Sequence, residues 1–141
     1  MDVAIVGASG ACGRMIATHL LADRVIEPHE RLQLVGRRDG ASGRALPGLA
    51  SDLRDAFAGT CPELDVALGP DDVVADIVVI AAGATFKPID PAAPRGGVMT
   101  NRDVLAGTNL AVFEAYAASL ARHGAGHEIV LVLSNPVELG V

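Results

Sequence analysis

Gly7-Ala8-Ser9-Gly10-Ala11-Cys12-Gly13 places a glycine at every third position near the start of the chain. It follows the apolar run Val3-Ala4-Ile5-Val6 and precedes a helical pattern. Three demands meet in such a segment: a sharp turn from strand to helix, close approach of backbone to a pyrophosphate, and tight packing of helix on strand. Glycine serves each. The helix that begins there offers free N–H groups and the positive end of its dipole to phosphate oxygens. Gly7, Ser9, Gly10, Ala11, Cys12 and Gly13 are therefore the candidate pyrophosphate cradle, with the Ser9 hydroxyl as an added donor. The alternative is a tight turn that holds no ligand. Cys12 reads as a small packing residue at the helix start, with a reactive thiol as the other reading, because helix N-termini lower thiol pKa values.

The second candidate feature is the end of the second apolar run, Leu34-Val35-Gly36-Arg37-Arg38-Asp39. An NAD site commonly has an acid here, about 20 residues after the glycines, for the adenosine ribose. Gly36 stands where the acid is expected, and two arginines follow. An acid repels a 2′-phosphate and an arginine pairs with it. Arg37 and Arg38 thus favour NADP over NAD. In the competing reading both arginines are solvated and Asp39 binds the ribose.

The elements that position these residues follow from periodicity. Residues 3–6 read as a buried strand, and residues 10–22 as a helix with Met15, Ile16, His19, Leu20 and Leu21 at helical spacing. Residues 32–35 read as a second strand. Residues 49–58 read as a helix with Leu49, Leu53 and Phe57 on one stripe, and residues 64–68 as a third strand. Residues 76–82 are apolar on both faces, as a central parallel strand is. Residues 83–100 form a Pro- and Gly-rich loop, a length often found in functional lids. A long helix from Arg102 to about Arg122 and a strand at 129–133 complete the pattern. Strands alternate with helices and no hairpin signal occurs. The expected fold is α/β, a doubly wound parallel sheet (a Rossmann dinucleotide-binding fold) in order 3-2-1-4-5, one helix and one strand short of six strands.

The 141 residues fit one dinucleotide-binding domain, 1–141. Half of them are apolar but only 3% are aromatic, so Ala, Val, Leu and Ile must build the core. The net charge of −6 and the lack of a basic stripe argue against nucleic acid or an anionic membrane as partner. Cys12 and Cys61 form no disulfide framework or metal pattern, so no metal is expected. The N-terminus carries no signal-peptide pattern, and the longest uncharged apolar run, 77–82, is too short to span a bilayer. The expectation is a cytoplasmic protein.

Three further stretches narrow the reading: Ala81-Ala82-Gly83, Arg102-Asp103-Val104-Leu105-Ala106-Gly107-Thr108-Asn109, and Leu133-Ser134-Asn135-Pro136-Val137. In this order, with Asp52-Leu53-Arg54-Asp55-Ala56 between, the chain resembles the malate/lactate dehydrogenase family over essentially its whole length. A short-chain dehydrogenase is disfavoured, since the sole tyrosine, Tyr116, has Leu120 where that pattern needs lysine. The resemblance implies hydride transfer between NAD(P)H and a small 2-oxo or 2-hydroxy acid. It implies a nicotinamide-ribose contact at Gly83, cofactor contacts at Asn109 and Ser134, and a hydrogen bond from Asn135 near the reacting carbon. It implies that Arg102 polarises the substrate carbonyl, a role suited to a fixed cation facing developing oxygen charge.

Two departures qualify what the resemblance implies. Malate enzymes carry Arg-Lys-Pro in the mobile loop, where this chain has Phe86-Lys87-Pro88 and about ten extra residues before Arg102. Arg95 is the alternative cation, so malate and lactate both stay open as substrates. The resemblance implies a catalytic histidine in a second, catalytic domain, and the expectation is that this domain is absent from this chain. His19, His29, His123 and His127 do not match it and read as structural or solvated. The chain alone is thus expected to be inactive, and to associate with itself or with a missing catalytic half. The competing functions are a stand-alone nucleotide-binding or regulatory module, and another dehydrogenase family with the same glycine spacing.

Overall fold

The computed structural model describes residues 1–83 and 102–134, and the side chains from residue 106 onward in the second segment. Among the described residues five parallel strands form one sheet: β1 (Val3–Val6), β2 (Arg31–Val35), β3 (Glu63–Ala67), β4 (Ile77–Ile80) and β5 (Ile129–Val132). Their order is β3-β2-β1-β4-β5, as expected from the alternation of strand and helix. Helices α1 (Ala11–Ala22), α2 (Ala41–Ala56) and α3 (Arg102–His123) make the crossovers.

The pleat sorts the strand residues into two cores. Val3, Ile5, Leu32, Leu34 and Val79 pack with Ala17 and Leu21 of α1 and Leu46, Ala50 and Leu53 of α2. Ala4, Val6, Val35, Val78 and Ile80 pack with Phe113 and Tyr116 of α3. Alternate residues of one strand thus serve opposite faces, and helices cover both sides as a parallel sheet requires.

The register decides where a site can form. Val6 pairs with Val35 on one side and Ile80 on the other, and Ile80 pairs with Val132. Strands β1, β2, β4 and β5 therefore end level, and Gly7, Gly36, Ala81 and Leu133 leave the sheet along one edge. The opposite edge is charged. Arg31 there pairs with Asp2 at 3.0 Å and donates to the Val74 carbonyl at 2.7 Å, while the Asp2 amide donates to Asp76 at 2.7 Å.

Helix α2 begins eight residues earlier than the sequence reading placed it. Gly43, Pro47 and Gly48 all lie inside it, residue types that ordinarily weaken a helix. The buried stripe is in fact Gly43, Leu46, Ala50 and Leu53. Gly43 is glycine because a Cβ there would lie 2.1 Å from the Arg37 carbonyl oxygen. A short 3-10 turn at Pro70–Asp72, not anticipated, carries the chain into β4. It also anchors α3. The Ser119 hydroxyl, on the buried face of α3, donates to Asp71 at 2.7 Å, and Arg122 lies 3.4 Å from the same carboxylate.

That anchor makes stability depend on pH. The Ser119 hydrogen bond, and then the charge of Arg122, hold the Asp71 carboxyl below its usual range. A carboxylate lowered in the folded state adds stability above its unfolded pKa of about 3.9, and that stability is lost as pH falls through the folded value. Asp71→Asn is expected to lower the thermal midpoint at neutral pH, with the difference from wild type closing in acid. Thermal melts across that range check it; a difference that persists unchanged in acid would refute the assignment.

Strand β5 forms an outer edge of the sheet, and Ile129 (58%), Val130 (42%), Leu131 (47%) and Leu133 (60%) are exposed. No helix among the described residues is long and apolar enough to cross a membrane.

Candidate functional site

The strand ends surround a cleft of about 390 Å³. Its floor is the glycine turn, with Val6, Gly7, Ser9 and Gly10. One wall is Gly36, Arg37 and Ser42, the other Ala81, Ala82 and Gly83, and α3 closes it with Thr108, Val112 and Tyr116. It lies where the chain turns from β1 towards α1 on one side and leaves β4 on the other. In open α/β sheets ligands bind at such a switch point.

The turn has the build its spacing predicts. Gly7 sits at φ +84°, a left-handed conformation that L side chains rarely adopt, and a Cβ there would lie 2.7 Å from the Ala82 Cα. The Gly7 and Ala8 amides donate to the Val35 carbonyl at 2.9 and 3.3 Å, and the Gly10 amide donates to the Gly7 carbonyl at 2.9 Å. A Cβ on Gly13 would meet the Gly7 oxygen at 2.3 Å, so α1 seats against the turn only with glycine there. At Gly10 a Cβ would meet only the Gly7 oxygen, at 3.2 Å. Gly10 caps α1 without a side-chain hydrogen bond. The first-turn amides, including those of Ala11 and Cys12, thus have no side-chain acceptor, and helix starts of that kind take anions. Cys12 itself is an exposed free thiol, not a packing residue.

The two arginines part company. Arg37 lines the cleft. Arg38 turns away to Asp72 at 3.4 Å, with both side chains more than half exposed. Asp39 is exposed and outside the lining. Gly36 is buried, and a Cβ there would press on Leu46 Cδ1 at 3.0 Å, so an acidic residue would fit only if Leu46 shifted.

Of the remaining candidates, Gly83 lines the cleft and Asn109 stands behind it. Asn109 is fully buried, and a Cβ on Gly83 would sit 3.0 Å from its Nδ2. Its side chain packs against Gly83, while the adjacent Thr108 reaches the lining. The buried Ser134 hydroxyl donates to the Ala82 carbonyl and, at 3.2 Å, to that of Ile80, so its proton joins the ends of β4 and β5. Arg102 opens α3, with its side chain outside the described set. Asn135, Lys87 and Arg95 lie outside the described residues.

All four histidines are described, and none lines the cleft. His19, His123 and His127 are more than half exposed, near Asp23, Asp71 and Asp76, and His29 is exposed. Among the described residues no cluster could hold a metal. Sequence reasoning assigned no role to Ser42, Val112 and Tyr116. The last two continue the i, i+4 line from Thr108, a signal that becomes informative only once α3 is known to turn that face to the cleft.

A family model described as the NAD-binding domain of lactate/malate dehydrogenase matches residues 1–141. A malate dehydrogenase of Methanococcus maripaludis is 31% identical over 144 residues, covering 99% of this chain and 40% of its own length. An L-2-hydroxycarboxylate dehydrogenase (NAD(P)(+)) of Methanocaldococcus jannaschii is 33% identical over 149 residues, covering 99% and 41%. Among solved structures, a malate dehydrogenase from Aeropyrum pernix superposes with a TM-score of 0.69 at 26% identity, covering 95% of this chain and 38% of its own. That from Plasmodium falciparum superposes at 0.72 with 24% identity, covering 96% and 38%. The chain spans about two fifths of the length of the curated relatives it matches.

Proposed function

We propose a function for this chain from what it is: it belongs to the lactate/malate dehydrogenase family, as that family's NAD-binding domain. The cleft holds a nicotinamide dinucleotide with its pyrophosphate over Gly7–Gly13, and the whole protein interconverts a 2-oxo and a 2-hydroxy acid. The observation that carries this is the cradle itself. Gly10 lines the cleft, where a Cβ would meet only the Gly7 oxygen, the first turn of α1 lacks a side-chain acceptor, and the cleft runs across the switch point. The residues present fit the group. When bound, the nicotinamide supplies the hydride that is exchanged with the acid. The chain's own part is to bind and orient: the amides of the turn hold the phosphates, the 82–83 backbone borders the nicotinamide side, and Asn109 stiffens that backbone from behind. Arg102 and Asn135 are the residues we assign to the substrate carbonyl. The free thiols of Cys12 and Cys61 fit a reducing cytoplasm.

We further propose that NADP binds more tightly than NAD. Arg37 lines the cleft beside Ser42, and neither Gly36 nor the outward-facing Asp39 offers a carboxylate to a ribose 2′-hydroxyl. Calorimetry with both cofactors tests this. Arg37→Asp is expected to weaken NADP binding about tenfold or more, the scale of a lost charged hydrogen bond, and to spare or improve NAD. Equal affinity, or a preference for NAD, in the unmodified chain would overturn the cofactor assignment while leaving the site in place.

A further inference from the structure

Tyr116 is the only tyrosine of the chain, which has no tryptophan. It sits on α3 in the core formed with Val6, Val35 and Ile80, only 6% exposed, and it lines the cleft. A buried tyrosine hydroxyl ordinarily finds a partner. This one accepts and donates no hydrogen bond among the described residues. Burial alone pushes its pKa up to about 12, with no neighbouring charge or donor contributing. Nor is the oxygen sealed off: the sole fully enclosed, unpartnered side-chain polar atom among the described residues is Arg31 Nε. The ring is thus held by the core, and the hydroxyl is left for whatever enters the cleft.

The place in the cleft says which part of a ligand that is. Thr108, Val112 and Tyr116 run along α3 at four-residue spacing, and Thr108 stands next to Asn109, which backs Gly83. Tyr116 is two turns further along, with Val6 and Val35 of the β1–β2 side in its core cluster. That cluster also takes in Val78 and Ile80 of β4, so Tyr116 is assigned to the half of the cleft bordered by Gly36, Arg37 and Ser42 on the two turns of α3 that separate it from Thr108 and Asn109 beside Gly83.

We propose that the Tyr116 hydroxyl is a specificity-determining contact for the adenosine half of the dinucleotide, hydrogen-bonding a polar atom of the adenine or its ribose while Val112 packs on the base. This rests on the proposed function. It adds a polar reading element beside the apolar Val112, and an unpaired buried hydroxyl discriminates against ligands that cannot satisfy it.

The test uses ligand fragments. ADP-ribose carries the adenosine half and nicotinamide mononucleotide does not. Calorimetry on the wild-type chain and on Tyr116→Phe, which keeps the ring and removes one oxygen, is expected to show ADP-ribose weakened about fivefold, the scale of one neutral hydrogen bond. Nicotinamide mononucleotide binding should be equal in the two proteins. A second measurement needs no variant. With a single tyrosine, the ring carbon bearing the hydroxyl gives one resonance in a tyrosine-labelled sample, and it should move on adding ADP-ribose and stay with nicotinamide mononucleotide. Wild type that binds ADP-ribose with that resonance unmoved, or Tyr116→Phe that binds it unchanged, overturns the role of Tyr116 and leaves the cleft assignment standing. Wild type that binds neither ADP-ribose nor the whole dinucleotide overturns both.

Discussion

Gly10→Val is expected to abolish dinucleotide binding while the domain stays folded, and Gly13→Val is expected to do the reverse, failing to fold before binding can be asked about. The two positions lie three residues apart in one motif, yet they face different things. Gly10 has an ordinary φ of −75°, and a Cβ there meets only the Gly7 oxygen at 3.2 Å. Losing glycine at this helix cap costs stability of about 1 kcal/mol, within what a domain with about 5–15 kcal/mol of stability tolerates. The valine methyls would stand in the cleft where backbone must approach the phosphates. At Gly13 the added carbon would lie 2.3 Å from the Gly7 oxygen and 2.7 Å from the Ala8 Cα, both backbone. Neither can yield as a side chain would, so α1 must lift from the sheet. Overpacking ordinarily costs about 1–3 kcal/mol, and a backbone clash under a buried helix belongs at or beyond the top of that range. Thermal unfolding and cofactor calorimetry on both variants are the check. A Gly10→Val protein that keeps wild-type affinity would place the phosphates elsewhere.

The second expected result is little or no catalysis by the 141-residue chain on its own. Moving a hydride to a 2-oxo acid leaves an oxygen that must take a proton. A positioned acid–base group with a pKa near the working pH is worth about 10²–10⁴ in rate. Among the described residues the cleft offers two titratable side chains, Arg37, which stays protonated, and Tyr116, whose burial pushes it up to about 12. All four histidines point to solvent elsewhere. In a coupled assay of NADPH and NADH oxidation with oxaloacetate and with pyruvate, turnover is expected well below about one per second, the low end of ordinary enzymes. Turnover at or above that rate would mean that a proton-transfer group lies within these residues.

The linear sequence determined the fold class, the strand order and the glycine turn between β1 and α1. Each is written in short-range signals: buried apolar runs of four or five residues, a glycine at every third position after the first of them, and strict alternation of strand with helix. The family was legible too, because its motifs at 81–83, 102–109 and 133–137 occur in order. What the sequence could not carry were facts about which atoms meet across long separations. The reason for glycine at position 43, the Arg37 carbonyl, lies outside the helix that Gly43 belongs to. Arg37 and Arg38 are adjacent and equal in chemistry, and only the approach of Asp72, 34 residues on, draws one of them away. Asn109 and Ser134 lie beside the site, and only the fold shows that Asn109 packs against Gly83 and that the Ser134 hydroxyl bonds the Ile80 and Ala82 carbonyls. Tyr116 gained its importance only when α3 laid its 108–112–116 face along the cleft. Periodicity reports which way a residue faces relative to its own helix or strand. Which element fills the space in front of it is decided by packing of the whole sheet, where one ångström separates a supporting contact from a ligand contact.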